Sequence, residues 1–292
     1  MNLLKIGRPP FFLGLITPYL PIRIRKLTGS EKTKAVFILS TGRTGTKFLA
    51  DFFGKHPDIT AYHEPKPSRI LRMWSIARIE KKVSQKSIGQ VLFLKRKKLV
   101  SKVSTPIYIE SNPYLFGAAD CLDEIFDEPI IINIVRDPRS YIKSSLNHGN
   151  TRGLKNFLNN HFPFWYPKTS QIIGSSEGKS LIIRNAEYWK IINQWLEKSC
   201  GNKANYHLFK FEDIFNKQDS SELERLANVI GVDSSFVRDS GIKAVNKSKD
   251  RVITSWENWT DEECRQVNEI CQPLMKKYGY GNEKNWLKKI SA

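Results

Sequence analysis

The 292-residue chain is poor in the features that mark several common protein classes. It has four cysteines, Cys121, Cys200, Cys264 and Cys271, without the close pairing of a zinc site. Cys264 and Cys271 stand seven apart in a helical pattern and read as core residues on one face. Nothing demands an oxidising compartment, and the cytoplasm is the expected location. The most apolar stretch near the start, residues 10–22 (PFFLGLITPYLPI), falls short of the roughly 20 apolar residues of a spanning helix, and Pro18 and Pro21 interrupt it. No small-residue cleavage site follows it, which argues against a cleaved signal peptide. There is no internal repeat, low-complexity tract, zinc module, RNA-recognition signature or clear helix-turn-helix. Acidic residues are scarce: 29 Asp and Glu face 47 Lys and Arg, giving a net charge of +18 and a pI near 9.7.

Apolar residues are not scarce. They make up 40% of the chain, enough for a real core, which excludes disordered and collagen-like classes. The excess charge is concentrated. Residues 1–30 carry five basic residues and no acidic one, and residues 66–104 carry twelve basic residues against Glu80 alone. These two segments hold nearly all of the excess, so the rest of the chain is close to neutral. That distribution points to an anionic small molecule, an anionic acceptor or a membrane surface, and away from nucleic acid. The basic flanks and aromatic residues of 10–22 suit contact with a lipid interface as well as they suit an arm packed on the domain.

Lys34–Ser40 (KAVFILS) reads as a strand, followed at once by Thr41-Gly42-Arg43-Thr44-Gly45-Thr46 and an amphipathic helix. A second apolar run, Pro129–Val135, ends in Arg136-Asp137-Pro138, where Asp137 suits a helix N-cap and Pro138 the first helical position. Further strands are expected at 59–64 (ITAYHE), Pro106–Glu110 and Tyr206–Phe211, and long helices at Leu181–Lys198, Ser221–Ile230 and Thr260–Tyr278. Strands alternating with helices predict an α/β fold of three layers, a central parallel sheet flanked by helices, with ligand loops at the carboxyl ends of the strands. The segment 66–104 reads as a helical basic insertion over the site, and 31–292 as a single domain behind an arm at 1–30.

A glycine loop between strand and helix is an anion site because loop and first-turn N–H groups converge on the ligand and the helix dipole adds positive potential. Gly42, Arg43, Thr44, Gly45, Thr46 and Lys47 add two cations and two hydroxyls. The loop does not fit a Walker A motif, since Phe48 stands after the lysine where a magnesium-binding hydroxyl is needed.

The run Thr41 to Leu49 resembles the 5′-phosphosulfate-binding loop of sulfotransferases that use 3′-phosphoadenosine 5′-phosphosulfate (PAPS). Arg136 at a strand end, with Ser144 eight residues on, is similar to that family's 3′-phosphate motif. More weakly, His56-Pro57-Asp58 with Glu64-Pro65 resembles carbohydrate and tyrosylprotein sulfotransferases, Phe211-Glu212-Asp213 resembles a Tyr-Glu-Asp element, and the tail from Asn246 to Tyr280 is similar to that of the carbohydrate-type branch, so that a carbohydrate-type or bacterial member is implied. The resemblance implies a P-loop-like fold and metal-independent, in-line sulfuryl transfer from PAPS to a hydroxyl or amine, with a carbohydrate or glycolipid as the expected acceptor. It implies that Gly42, Arg43, Thr44, Gly45, Thr46, Lys47 and Phe48 hold the donor's 5′ end, that Arg136 and Ser144 hold its 3′-phosphate, and that Ser248, Lys249 and Arg251 add a C-terminal basic loop. Arg43 and Lys47 would neutralise the leaving phosphate. Glu64 is the expected base and His63, an imidazole, the alternative; on an alternating strand the two point to opposite faces. The rival classes are a P-loop-related kinase or nucleotide sensor, and a basic nucleic-acid-binding protein.

Overall fold

The computed structural model describes residues 26–27, 33–147, 179–215, 219–240 and 255–291. Five strands, β1 (Lys34–Ser40), β2 (Ile59–His63), β3 (Ile107–Ser111), β4 (Ile130–Val135) and β5 (Tyr206–Lys210), form one parallel sheet in the order β2-β3-β1-β4-β5. β1 is central and pairs Val36 with Ile109 on one side and Ile130 on the other. Its side chains alternate between two cores, as the pleat requires. Phe37 and Leu39 join Trp74, Phe93, Phe116 and Trp189 on one face. Val36 and Ile38 join Leu49, Phe52 and Leu226 on the other. Each fully buried side chain of this size contributes roughly 1.5–3 kcal/mol relative to exposure.

The expected strands are present, with some ends shifted by one residue, and two of the shifts bear on the site: β2 stops at His63, before Glu64, and β5 stops at Lys210. Phe211 does not close β5 but opens a short helix, Phe211–Phe215, whose first turn carries Glu212 and Asp213. Carboxylates there favour the helix, because they face the positive end of its dipole.

The basic segment 66–104 forms two helices, α2 (Ser68–Ile79) and α3 (Gln85–Val100), and the serine at 84 caps the second by accepting from the Ser87 N–H at 3.1 Å. Leu71, Trp74, Ile76, Ile88, Leu92 and Phe93 enter the first core, while Lys81, Lys82, Lys86, Lys97 and Lys98 remain exposed. The segment is therefore part of the domain's packing. α2 lies tightly on the 3₁₀ segment Pro113–Cys121: a Cβ on Gly117 would stand 2.4 Å from the Ser75 Cα, so only glycine fits.

After the short helix α4 (Leu122–Ile125) and β4, helix α5 (Pro138–Leu146) starts as expected, with Asp137 accepting from the Arg139 N–H at 2.8 Å. Asp137 pairs with Arg139 and not with its neighbour Arg136. Cys264 and Cys271 are fully buried on the helix Asp261–Tyr278, and Trp259 is buried beside it. Of the arm 1–30, only Lys26 and Leu27 are described; the Leu27 N–H donates to the Ile125 carbonyl at 2.6 Å. Among the described residues no helix is long and apolar enough to cross a membrane.

Candidate active site

The loop Thr41–Gly45 leaves the centre of the sheet with three residues in the left-handed region: Gly42 at φ 81, Arg43 at φ 59 and Gly45 at φ 73. Gly45 carries a second constraint, since a Cβ there would stand 2.3 Å from the Phe215 ring. This winding brings the chain into α1 (Thr46–Phe53), which no side chain caps, leaving first-turn N–H groups for another acceptor. Thr44 is fully buried and its Oγ1 has no hydrogen-bond partner. A buried, unsatisfied hydroxyl costs on the order of 1–3 kcal/mol, which a bound acceptor would offset.

Arg136, at the end of β4, donates from Nη1 to the Arg43 carbonyl at 2.7 Å, and its guanidinium lies 4.1 Å from the centre of the Phe211 ring. The Nε of Arg136 is buried without a partner. Among the described residues neither Arg43 nor Arg136 has a carboxylate within the 4.0 Å of an ion pair. Burial draws both guanidinium pKa values down; for Arg136, Glu212 opposes this and Arg43 adds to it. Arg43 is exposed and Arg136 half-buried, and two cations meeting at one loop without an ion-pair partner among the described residues suit a multiply charged anion.

The remaining expected donor residues divide. Ser144 is buried on α5, two turns beyond Arg136. Lys47 stands apart, with its ammonium 2.6 Å from Asp51 on the outer face of α1 and 71% of its side chain exposed. Phe48 packs against Phe52 and Phe215 and holds α1 to the Phe211–Phe215 helix. Ser248, Lys249 and Arg251 lie outside the described residues.

The expected opposition of His63 and Glu64 does not hold. β2 ends at His63, and Glu64 turns away at φ 45, so its Oε1 comes within 3.6 Å of His63 Nε2. The Ser111 carbonyl fixes both residues, accepting from the Glu64 N–H at 3.1 Å and lying 3.1 Å from His63 Nδ1. With the Nδ1 proton on that carbonyl, the imidazole turns Nε2 to the carboxylate. Burial raises the Glu64 pKa, opposed by His63 and then by Arg72.

Several residues at the site escape motif reading. Arg96, one of the twelve basic residues of 66–104, is wholly buried and grips Glu110 in a bidentate pair at 2.6 and 2.7 Å. The same guanidinium donates to the carbonyls of Pro65 at 3.2 Å and Lys66 at 3.4 Å, immediately after Glu64. Glu110 also accepts from Tyr108 and Asn112, each at 2.8 Å, and Asn112 Oδ1 accepts from the Tyr114 N–H at 3.0 Å. One network thus sets both the turn bearing Glu64 and the start of the segment bearing Tyr114. Arg72 on α2 lies over the Tyr114 ring, 5.1 Å from its centre. On the β5 side, Glu212 accepts from the Asp137 N–H at 3.1 Å and from Tyr280 at 2.7 Å, tying the C-terminal region to the Arg136 junction.

A family model described as the sulfotransferase family matches residues 35–234, from β1 past the helix Ser221–Ile230. The chain belongs to the sulfotransferase family. Its fold is shared by the crystal structure of a sulfotransferase from Alicyclobacillus acidocaldarius, at 16% identity over 87% of this chain and 98% of that one, with a TM-score of 0.51. The sulfotransferase domain from the curacin biosynthetic pathway aligns over 91% of this chain and 98% of that chain at 14% identity, with a TM-score of 0.45. No curated protein matches the chain significantly.

Proposed function

We propose that this sulfotransferase uses PAPS as its donor, and that its acceptor is a hydroxyl or amine of a carbohydrate or glycolipid met at the cytoplasmic face of a membrane. The observation that carries the donor assignment is the loop itself: Arg43 and Arg136 lack carboxylate partners among the described residues, beside a buried Thr44 hydroxyl without a partner. Bound there, PAPS would supply a sulfuryl group activated by a phosphate leaving group.

The protein's part is positioning and charge. The N–H groups of Arg43 to Thr46 and the Thr44 hydroxyl hold the 5′ end in line, while the Gly42 N–H donates to the Ser40 hydroxyl at 2.9 Å and shapes the loop. Arg43 neutralises the charge that grows on the departing phosphate. Arg136 and Ser144 hold the 3′-phosphate, a role to which the sequence resemblance adds Ser248, Lys249 and Arg251. Lys47 takes no direct part, because its ammonium is engaged with Asp51. Glu64 accepts the acceptor's proton at its carboxylate. Its raised pKa brings it nearer to working pH, where a general base is most effective, and His63 positions it.

Calorimetric titration tests the donor: adenosine 3′,5′-bisphosphate is expected to bind, and ATP with magnesium is expected to bind more weakly. Tighter ATP binding would overturn the assignment in favour of a kinase-like protein. Glu64→Gln is expected to cut turnover about 10²–10⁴-fold while leaving bisphosphate binding unchanged; intact turnover would remove Glu64 as base. The exposed lysines of 81–98 supply the membrane-facing charge. Sedimentation with anionic liposomes at low salt, lost at high salt, is the expected behaviour.

A further inference from the structure

We propose that Arg72 binds an anionic group, a carboxylate or sulfate ester, carried by the acceptor close to the atom that is sulfated. The proposal rests on the assignment of Glu64 as base and makes the acceptor an acidic molecule.

Three observations place such a group at Arg72. The first is its position. Arg72 stands on α2, which begins four residues after Glu64, and its guanidinium lies over the Tyr114 ring at 5.1 Å. Tyr114 follows Pro113, whose Cβ would stand 3.8 Å from a Cβ placed on Gly42, so the segment bearing this ring abuts the loop, and the ring is within electrostatic reach of Glu64 and Arg43. The second is the lack of an ion-pair partner, although Glu64 is within electrostatic reach. Among the described residues no carboxylate lies within ion-pair distance of Arg72. The third is a buried Nε without a hydrogen-bond partner.

Arg78, six residues further along α2, likewise keeps a buried Nε without a partner and lies over an aromatic ring, Trp195. It pairs with Asp120 at 3.3 Å, however, so the missing carboxylate is what sets Arg72 apart. A guanidinium has five donors suited to a planar oxyanion, and an aromatic face satisfies none of them. Glu64 does not fill the role, because no ion pair joins it to Arg72 while it contacts His63. The donor's phosphates have Arg43 and Arg136. An anion on the acceptor would complete Arg72, and Tyr114 would form the floor on which it rests.

The test uses the full-length protein saturated with adenosine 3′,5′-bisphosphate, so that the donor's own anion sites are filled. Glucuronate is the probe, with glucose as its neutral counterpart and sodium chloride as the ionic-strength control. The ¹⁵N resonance of the Arg72 Nε–H, assigned by its absence from Arg72→Lys, is expected to move saturably with glucuronate and to stay still with glucose and salt. Arg72→Gln is expected to weaken glucuronate binding about tenfold or more while leaving bisphosphate affinity unchanged. An unmoved resonance overturns the proposal. So does equal movement with glucose, or undiminished glucuronate binding by Arg72→Gln. Should Arg72→Gln not fold, the wild-type titration decides alone. Failure of the wild-type protein to bind the bisphosphate would count against the donor assignment instead, and the glucuronate titration without it would still decide the role of Arg72.

Discussion

Two sets of arginines in this protein differ in a way that separates framework from site. Arg96 and Arg139 are buried and saturated. Arg96 holds Glu110 and two backbone carbonyls, while Arg139 holds Asp137 and Glu283 and lies against the Trp256 and Trp286 pair. Arg43, Arg72 and Arg136 have no carboxylate partner among the described residues, and two of them keep a buried Nε without an acceptor. A buried guanidinium is tolerated when its donors are met. Arg43 is exposed and Arg72 and Arg136 are half-buried, so water can meet the donors left open there, and a ligand's anion can replace that water. Net charge alone conceals the distinction: Arg96 and Arg72 lie on the same basic segment and do opposite jobs.

The largest effect that would test this comparison is on stability. Arg96→Ala leaves Glu110 buried without its cation and frees the carbonyls of Pro65 and Lys66. It is expected to cost about 3–5 kcal/mol in denaturant unfolding. Replacing the pair together, Arg96→Met with Glu110→Leu, is expected to recover only part of that loss, because the buried Tyr108 hydroxyl and Asn112 amide lose the acceptor they share. If Arg96→Ala costs under about 1 kcal/mol, Arg96 does not belong to the framework set.

The converse holds for Arg43. Arg43→Gln is expected to weaken adenosine 3′,5′-bisphosphate binding by about tenfold to a hundredfold in calorimetry, the value of a charge-assisted contact. Its melting temperature should hold or rise, since the substitution relieves repulsion with Arg136. A variant that binds normally and melts early would place Arg43 with Arg96.

The sheet was legible because its determinants are local. KAVFILS and its glycine loop, and Asp137-Pro138 before α5, each need only neighbouring residues to act. The network of Arg96, Glu110 and Pro65 joins residues 14 to 31 positions apart, and no spacing rule singles out one basic residue among twelve. Glu64 shows a different limit. A following proline predicts an extended residue, yet Glu64 adopts φ 45, and that turn is what brings it to His63. Reading β2 as continuing through 64 therefore put the two on opposite faces. Arg72 and Tyr114 were missed for the first reason, because they meet only when α2 packs on the 3₁₀ segment.

A smaller effect concerns the base. Burial raises the Glu64 pKa above its unfolded value, so folding favours the protonated form and the ionised group weighs on stability above the folded pKa. Glu64→Gln is therefore expected to raise the melting temperature at pH 8 and to lose that advantage as the pH falls through the Glu64 titration. A melting temperature lower than that of the wild type at both pH values would mean that the carboxylate is held by the fold and not strained for chemistry. In the active protein the same sign requires turnover to rise with pH along its acidic limb.

The smallest effect belongs to Lys47, where local sequence and geometry disagree. The loop resemblance gives Lys47 a phosphate, and the structure gives it Asp51 in an exposed pair four residues along α1. Pairs of that kind contribute about 0.3–0.5 kcal/mol and are screened by salt. Lys47→Ala is accordingly expected to change stability by no more than about 0.5 kcal/mol, and bisphosphate affinity by less than about threefold at physiological salt. A tenfold loss of affinity would mean that the ammonium leaves Asp51 when the donor binds. Lys47 would then join Arg43 and Arg136, and an ion pair four residues apart on an exposed helix would be no bar to membership of the site.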